Sequence, residues 1–268
     1  MANLEHLALL KAGAVKWIEW RSQNPQIEPD LSEANLEGIN LRGANLQGAN
    51  LRRVDLSNAL LVAANLSGAN LGGANLHQAI LIEANLSAAN LSIVNLVAAN
   101  LTEANLSHAN LIGSDLSRAT LKRAVLNHAN LIGTTLRGAN LKRADLGAAK
   151  LNRTNLSEAN LIAANLIEAD LREANLYEAE LIEAYLYKTN CYKANLSEAH
   201  LGGAYLFQAN LSEAQMSRAK LRWANLSFAN LAEANLSEAN LRGANLHKAN
   251  LQGANLQKTK MPDGTIHD

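Results

Sequence analysis

Leucine recurs at every fifth position across most of this chain. Counting from Leu31 in steps of five reaches Leu256 without an insertion or a deletion, and 44 of the 46 positions are leucine. The two exceptions, Cys191 and Met216, are also apolar. A period of five fits neither the 3.6-residue period of a helix nor the two-residue period of a strand. The pattern therefore predicts a repeat architecture.

The residue two places before each leucine is small, usually alanine, and the residue between them is mostly asparagine. Departures at the alanine position include Ile39, Val54, Val94, Ser114 and Thr134. If each unit forms one side of a square coil, four units complete a turn, and residues 20 apart stack at about 4.8 Å. Leucine and alanine then point inward, and the two variable positions face solvent.

This array resembles the pentapeptide-repeat family over residues 30–261. The ends are similar to those of cyanobacterial members at 17–21 (Trp-Ile-Glu-Trp-Arg), 24–25 (Asn-Pro) and 261–265 (Met-Pro-Asp-Gly-Thr). The resemblance implies an all-β solenoid, a right-handed quadrilateral β-helix of about 11–12 coils and about 55 Å in length. We expect an N-terminal α-helical cap and linker over 1–29, the β-helix over 30–261 and a C-terminal tail or cap over 262–268.

The two ends of the array need covers, because an open coil exposes leucines and unpaired backbone. Residues 3–22 predict one helix, since Leu7, Leu10, Ala14 and Trp17 recur at helical spacing and Asn3 can cap it. We interpret this helix as a hydrophobic lid over the first coil, with a docking helix as the alternative. At the other end, Ile266 is expected to fold back over the last leucines. Family members also use this end as a dimer interface, so a monomer and an end-to-end dimer both stay open.

Composition excludes several classes of protein. Lysines and arginines number 24, as do aspartates and glutamates, so no net charge attracts nucleic acid or membrane lipid. No apolar run approaches the roughly 20 residues of a membrane-spanning helix. The N-terminus does not resemble a signal peptide, because Glu5 and Lys11 interrupt its apolar residues. We therefore expect a cytoplasmic protein without membrane contact.

Aromatic residues are concentrated near the C-terminal third, where they predict a binding surface for a protein partner. The candidates are Tyr177, Tyr185, Tyr187, Tyr192, Tyr205, Phe207, Trp223 and Phe228. Tyr185 and Tyr205 are 20 apart and should stack, as should Tyr187 and Phe207. The alternative is that these rings only stabilise neighbouring coils.

Charge is unevenly distributed along the array. A basic patch is predicted at Arg118, Lys122, Arg123, Lys142 and Arg143, within a zone, 115–153, of net charge +6. The following zone, 158–183, has a net charge of −6. The two zones suggest sites for an acidic and a basic partner side by side, or simply a solvated surface whose charges prevent edge aggregation.

Residues that carry chemistry do not form a catalytic constellation. His108 and His128 should be neighbours, but no Cys, Asp or Glu is placed to complete a tetrahedral metal site, so we expect an incidental pair and no metal. Cys191 replaces a core leucine, and burial should make it inert. We expect no enzyme activity and no cofactor.

The sequence thus predicts a non-catalytic structural or protein-interaction module with an unidentified protein partner. The family resemblance implies two alternatives. One is a DNA-mimicking modulator of DNA gyrase, which the zero net charge and the central basic zone oppose. The other is a regulator of a cyanobacterial transcription factor. Nucleic acid is not the expected partner.

Overall fold

The computed structural model describes the backbone of residues 1–268 and every side chain except that of Ala14. Its regular elements are helices α1 (Leu4–Lys11) and α2 (Ala14–Gln23) and strands β1 (Thr259–Lys260) and β2 (Ile266–His267). The repeat array lies between the helices and the strands. The predicted contribution of the Ala14 side chain to the apolar helix face lies outside the described residues.

Residues 20 apart are paired throughout the array. Parallel bridges join the central residue of each unit to its equivalent in the next coil, from the pair Asp30–Asn50 to the pair Asn240–Lys260. Leucine N–H groups add a second bond between coils, as where Leu111 donates to the Asn130 carbonyl at 2.7 Å. A coil therefore holds four units, and the predicted stacking at intervals of 20 residues is confirmed.

The core is a single column of leucine and alanine side chains, nearly all of them without solvent exposure. Where serine or threonine replaces alanine, the hydroxyl is also buried and donates to a leucine carbonyl 23 residues earlier. The Thr134 hydroxyl donates to Leu111 at 2.9 Å, and the Thr189 hydroxyl to Leu166 at 2.7 Å. These substitutions are tolerated because each buried hydroxyl has a partner.

Each corner of the coil is a tight turn made by the two variable residues. The N–H of the following small residue donates back to the leucine carbonyl, as from Ala44 to Leu41 at 3.1 Å. Throughout the array the second turn residue has a positive φ, between 51° and 72°. These two positions were predicted to face solvent, which leaves their side chains free to vary. The structure adds a backbone requirement that favours glycine, and Ile93 meets it at a φ of 56°.

The N-terminal segment forms two helices, so the prediction of one helix over 3–22 is wrong. Gly13, at a φ of 107°, separates α1 from α2. Asn3 does cap α1, because its side chain accepts from the N–H groups of Glu5 and His6. Trp17 on α2 is fully buried, and its Nε1 donates to the carbonyl of Asn45 at 3.0 Å. The helices are therefore packed on the first coil.

The C-terminal residues form a small antiparallel hairpin in which β1 pairs with β2. Ile266 is 63% exposed, so the expectation that it covers the last leucines is wrong. Ile266 pairs with Lys260 in the hairpin instead. Leu246, Leu251 and Leu256 in the last coil consequently stay only partly buried.

Among the described residues, no helix has both the length and the apolar character needed to cross a membrane.

Candidate functional site

In the four-sided coil, the position of an aromatic residue within each block of 20 determines the wall or corner on which it lies. Tyr185 and Tyr205 lie in the middle of one wall and bridge to each other. The two corners that border this wall carry four more aromatic residues. We call the six residues together the aromatic wall: Tyr185, Tyr187, Tyr205, Phe207, Trp223 and Phe228.

The rings of the aromatic wall contact one another across successive coils. Tyr185 and Tyr205 stack with ring centroids 5.1 Å apart and planes 5° apart, and the two side chains are 46% and 48% exposed. Phe207 stacks on Tyr187 at 5.8 Å and meets Phe228 edge-on at 5.4 Å. The predicted pairs are thus confirmed as contacts, and much of their surface faces solvent.

Two of the eight candidate aromatic residues lie elsewhere. Tyr177 and Tyr192 occupy the corners of the opposite wall, the wall that carries Asn175 and Asn195. The Tyr192 hydroxyl donates to Glu213 at 2.9 Å. A hydrogen bond to Glu178 raises the pKa of the Tyr177 hydroxyl. The eight residues therefore do not form one surface, because a coil of 20 separates neighbours in sequence onto different walls.

The predicted basic patch is split in the same way. Lys122, Arg123, Lys142 and Arg143 share one corner that borders the aromatic wall, and the Arg123 N–H donates to the Lys142 carbonyl at 3.1 Å. Arg118 occupies a different corner, which borders the opposite wall and is one full wall away from these four residues. The guanidinium of Arg123 pairs with Glu103, so part of the patch is neutralised.

The aromatic wall and its two corners are also the most basic part of the surface. Between residues 121 and 250 they carry eight basic and three acidic residues, a net charge of +5. The basic residues are Lys122, Arg123, Lys142, Arg143, Lys188, Arg222, Arg242 and Lys248, and the acidic residues are Asp145, Glu168 and Glu183. Over the same span the opposite wall and its corners carry five basic and seven acidic residues, a net charge of −2.

The cations of the opposite wall are in ion pairs, as where Arg137 pairs with Glu158, and Arg153 with Glu173, at 2.8 and 2.9 Å. These two pairs join the predicted basic zone to the predicted acidic zone, which therefore cancel locally. Among the described side chains, by contrast, no carboxylate lies within ion-pair distance of Lys142, Arg143, Arg222 or Arg242. These cations are available for a partner.

Two lysines at the corner that carries Tyr187 and Phe228 contact the rings of the aromatic wall. The Nζ of Lys188 lies 5.0 Å from the Tyr187 ring centroid, and that of Lys248 lies 5.3 Å from the centroid of Phe228. Sequence reasoning missed Lys188, Arg222, Arg242 and Lys248 as site residues. Their positions in the 20-residue coil, which place all four at the corners of one wall, are the sequence signal that identifies them.

The comparison with known families follows from this repeat geometry. A family model described as pentapeptide repeats matches repeatedly along the chain, over 28–61, 59–96, 99–138, 139–176, 154–190, 189–227 and 224–261. The chain belongs to the pentapeptide-repeat family. Members of this family fold as right-handed quadrilateral β-helices, with which the four-unit coil of this pentapeptide-repeat protein agrees.

Solved structures of pentapeptide-repeat proteins resemble the chain to different degrees. HetL from the cyanobacterium Nostoc sp. strain PCC 7120, which is involved in the regulation of heterocyst differentiation, is 35% identical. The match covers 93% of this chain and 98% of HetL, with a TM-score of 0.61. Rfr23 from the cyanobacterium Cyanothece 51142 is 30% identical over 52% of this chain and 91% of Rfr23, with a TM-score of 0.23.

A trypsin-treated form of QnrB1, a plasmid-mediated fluoroquinolone resistance protein, is 16% identical. That match covers 83% of this chain and 89% of QnrB1, with a TM-score of 0.41. No curated protein matches this pentapeptide-repeat protein significantly.

His108 and His128 stack as predicted, with ring centroids 5.0 Å apart and planes 10° apart. Among the described residues, no group of three or more His, Cys, Asp or Glu side chains is arranged to hold a metal ion. The stacking makes the pair a contact between adjacent coils of the pentapeptide-repeat protein.

Cys191 occupies a core leucine position and has no solvent exposure. Burial raises the pKa of its thiol to about 12. At neutral pH the side chain is a thiol and not a thiolate, so it is a poor nucleophile. The inert character predicted for Cys191 follows from its place in the pentapeptide-repeat core.

Proposed function

We propose that this pentapeptide-repeat protein is a non-catalytic interaction module that binds a protein partner through its aromatic wall. The observation that carries the proposal is the stacked Tyr185–Tyr205 pair, nearly half exposed, on the same wall as Trp223, which is 67% exposed. Rigid, solvent-exposed aromatic rings bury a large area on binding at little cost in side-chain entropy. The coil holds these rings in place before a partner arrives.

Stabilisation of neighbouring coils explains only part of this arrangement. Stacking accounts for contacts such as that between Tyr187 and Phe207. It gives no reason for the cations of Arg222 and Arg242 to stand unpaired beside the rings, while all five cations of the opposite wall are in ion pairs. Aromatic residues together with arginine are the composition enriched in the energetic centres of interfaces.

Catalysis has little support in the same surface. The concave places on the rod are shallow and open, such as the one that Ile132, Asn152 and Arg153 line. Enzymes usually enclose their substrates in deeper pockets. Cys191 is sealed inside the core, which removes it from any reaction at the surface.

Affinity capture tests the proposal with two matched double variants. Tyr185→Ser with Tyr205→Ser removes the exposed stack, and Tyr177→Ser with Tyr192→Ser removes two aromatic residues from the opposite wall. Each protein is immobilised, incubated with an extract of the source organism and analysed by quantitative mass spectrometry. We expect a partner that the wild type and the opposite-wall variant retain equally and that the stack variant retains about ten-fold less, the loss expected from about 1.4 kcal/mol.

Equal retention by all three proteins would show that the partner does not bind through the aromatic wall. Thermal unfolding followed by circular dichroism shows whether each variant is folded, since the lost stacking costs about 0.2–1 kcal/mol. A stack variant that is folded but does not bind is the result that the proposal requires.

Regulation of differentiation is a second candidate, and the likeness to HetL favours it. HetL is 35% identical over nearly its whole length and is involved in heterocyst differentiation regulation. If the role is shared, the partner of the aromatic wall is a regulatory protein. Deletion of the gene, followed by counting of differentiated cells, tests this candidate separately. The DNA-mimic alternative has less support, because the aromatic wall carries a net charge of +5, opposite in sign to DNA.

The two ends of the rod differ in their capacity to associate. We infer that α1 and α2 cap the first coil, since Trp17 is buried on it and the Asn3 N–H donates to the carbonyl of Asp30 at 3.0 Å. Leu251 and Leu256 in the last coil stay partly exposed. A second copy that packs on those leucines gives an end-to-end dimer, and otherwise the protein is a monomer. Sedimentation velocity of the wild type and of Leu251→Lys distinguishes the two states.

A further inference from the structure

One corner bordering the aromatic wall is a continuous stripe along the rod. At this corner the second turn residue of each coil donates its N–H to the carbonyl of the first turn residue in the next coil. Examples are Arg143 to Ile162 at 3.0 Å, Glu183 to Gly202 at 3.0 Å and Trp223 to Arg242 at 3.1 Å. We call this surface the corner stripe: Lys142, Arg143, Ile162, Ala163, Ile182, Glu183, Gly202, Gly203, Arg222, Trp223, Arg242 and Gly243.

The corner stripe is basic at both ends and apolar in the middle. Lys142 and Arg143 are exposed at one end, and Arg222 and Arg242 are exposed at the other. None of the four is in an ion pair among the described side chains. Isoleucines, alanine and glycines fill the coils between them, where the single acid is Glu183.

The middle of the corner stripe is concave. Gly202 and Gly203 lack side chains, while the coils on either side present Ile182 and Glu183, and Arg222 and Trp223. Together these six residues line an open notch of about 540 Å³. The notch is large enough for an apolar side chain, and the exposed indole of Trp223 forms one side of it.

We propose that the corner stripe binds an extended acidic segment of a partner protein, with an apolar side chain in the notch at Gly202 and Gly203. Arg143 and Arg222 are four coils apart, about 19 Å at the spacing of paired strands. An extended segment covers that distance in about six residues. Acidic residues at both ends of such a segment meet the two cationic groups, and its central apolar residue meets Trp223. This inference rests on the proposed function, because it specifies the partner of the aromatic wall.

Single-stranded nucleic acid fits this surface less well. Proteins that bind it offer free aromatic faces for the bases and a continuous basic track for the phosphates. Here Tyr185 and Tyr205 each cover one face of the other, and the cations are grouped at the two ends with Glu183 between them. The spacing suits two groups of carboxylates better than a phosphate at every residue.

Fluorescence anisotropy with synthetic probes tests the inference. The first probe is a fluorescein-labelled 12-residue peptide with three glutamates at each end and Leu-Trp-Leu in a serine-spaced centre. The second has lysines in place of the glutamates, and the third is a labelled 12-nucleotide oligothymidylate. We expect the acidic peptide to bind more tightly than either of the others, and its affinity to fall as salt rises. Tighter binding of the oligothymidylate, or equal binding of both peptides, would overturn the inference.

Charge substitutions of opposite expected sign make the test specific. Arg222→Gln and Arg143→Gln should each weaken binding of the acidic peptide about two- to five-fold, the range for one exposed ion pair. Glu183→Gln should tighten it by a similar factor, because the substitution removes the one repulsive charge. Arg52→Gln is the control, since this exposed arginine lies on the diagonally opposite corner. An unchanged affinity in Glu183→Gln and Arg222→Gln would contradict the inference.

The same variants separate this inference from the proposed function. If a cellular partner is lost with Tyr185→Ser and Tyr205→Ser but is retained with Arg222→Gln and Arg143→Gln, the aromatic wall binds it without the corner stripe. That result would support the proposed function and contradict the inference that the corner stripe binds an acidic segment. If neither the tyrosine variants nor the arginine variants lose the partner, both the proposed function and this inference are contradicted.

Discussion

The indole ring of Trp223 lies directly over Gly243, its equivalent in the next coil. A Cβ atom on Gly243 would overlap the indole, so the side chain can lie along the rod only because this position has none. The backbone φ of Gly243 is 72°, which glycine also adopts without strain. The most exposed aromatic ring of the wall is therefore positioned by a residue 20 places away.

Replacement of Gly243 by alanine should displace the Trp223 ring. Both Gly243→Ala and Gly203→Ala place a side chain at positive φ, at a cost of about 1 kcal/mol each. At Gly203 the new Cβ would have only an ordinary contact, 3.7 Å from Glu183 Cγ. Tryptophan emission should therefore change in Gly243→Ala and not in Gly203→Ala. Identical spectra in the two variants would contradict the contact.

Ile93 should be the most strained turn residue of the array. It is β-branched, has a φ of 56° and is 74% exposed, so its side chain is strained without being buried. Ile93→Asn should stabilise the protein by about 1 kcal/mol, because asparagine adopts the left-handed conformation more readily. Ile112, which accepts the Ile93 N–H through its carbonyl at 3.0 Å and has no positive φ, provides the control variant Ile112→Asn. The midpoint of denaturant unfolding should rise only for Ile93→Asn.

Asp55 should make stability depend on pH in the acid range. The N–H and hydroxyl of Ser57 donate to its carboxylate at 3.0 and 2.7 Å, and these bonds lower its pKa. Since the folded pKa lies below the unfolded value of about 3.9, the contribution is complete above that pH. It is lost as the pH falls through the folded pKa.

The variant Asp55→Asn isolates this contribution, because Asn65 makes the same two bonds with Ser67. We expect the difference in unfolding midpoint between the wild type and Asp55→Asn to shrink or reverse between pH 5 and pH 2. Glu37→Gln is the control for general acid effects, because this exposed carboxylate has no hydrogen-bond or ion-pair partner among the described side chains. A constant difference across this range would show that Asp55 does not titrate with folding.

Cys191 should resist alkylation while the protein is folded. Its thiol is fully buried and has a pKa of about 12, so iodoacetamide at pH 8 meets neither an accessible sulphur nor a thiolate. Mass spectrometry should find no label in the native protein and one label in denaturant. A Gln208→Cys variant, at an exposed turn, should take one label while native. Rapid native labelling of Cys191 would contradict its burial.

The sequence predicts the coil because Leu31 through Leu256 keep one period, and the interior of the coil is the one apolar environment in which all these leucines can be buried. It also predicts contacts that depend only on a separation of 20, such as Tyr185 with Tyr205. It fails where the period ends. The break between α1 and α2 depends on the φ of Gly13, and the exposure of Ile266 depends on hairpin pairing that no repeat imposes.

The extent of the candidate site is harder to predict than the fold. Tyr177 and Tyr192 are close in sequence to Tyr185 but border the opposite wall, because seven or eight residues carry the chain nearly half-way around a coil of 20. Conversely, Lys142 and Arg222 share a corner although 80 residues separate them. Proximity along the chain therefore misleads in a rod, and the pairing state of each charge requires side-chain positions that the pattern does not contain.

The coil of 20 residues, with its identical bonds above and below, also limits how such a chain can evolve. Duplication or loss of a whole coil lengthens or shortens the rod and leaves each surface facing its former direction. Duplication of a single five-residue unit keeps the interior intact but turns everything beyond it by a quarter revolution. One such event between Arg143 and Arg222 would place the two halves of the corner stripe on different corners without destabilising the fold. Selection for binding at the stripe would therefore favour insertions and deletions of whole 20-residue coils.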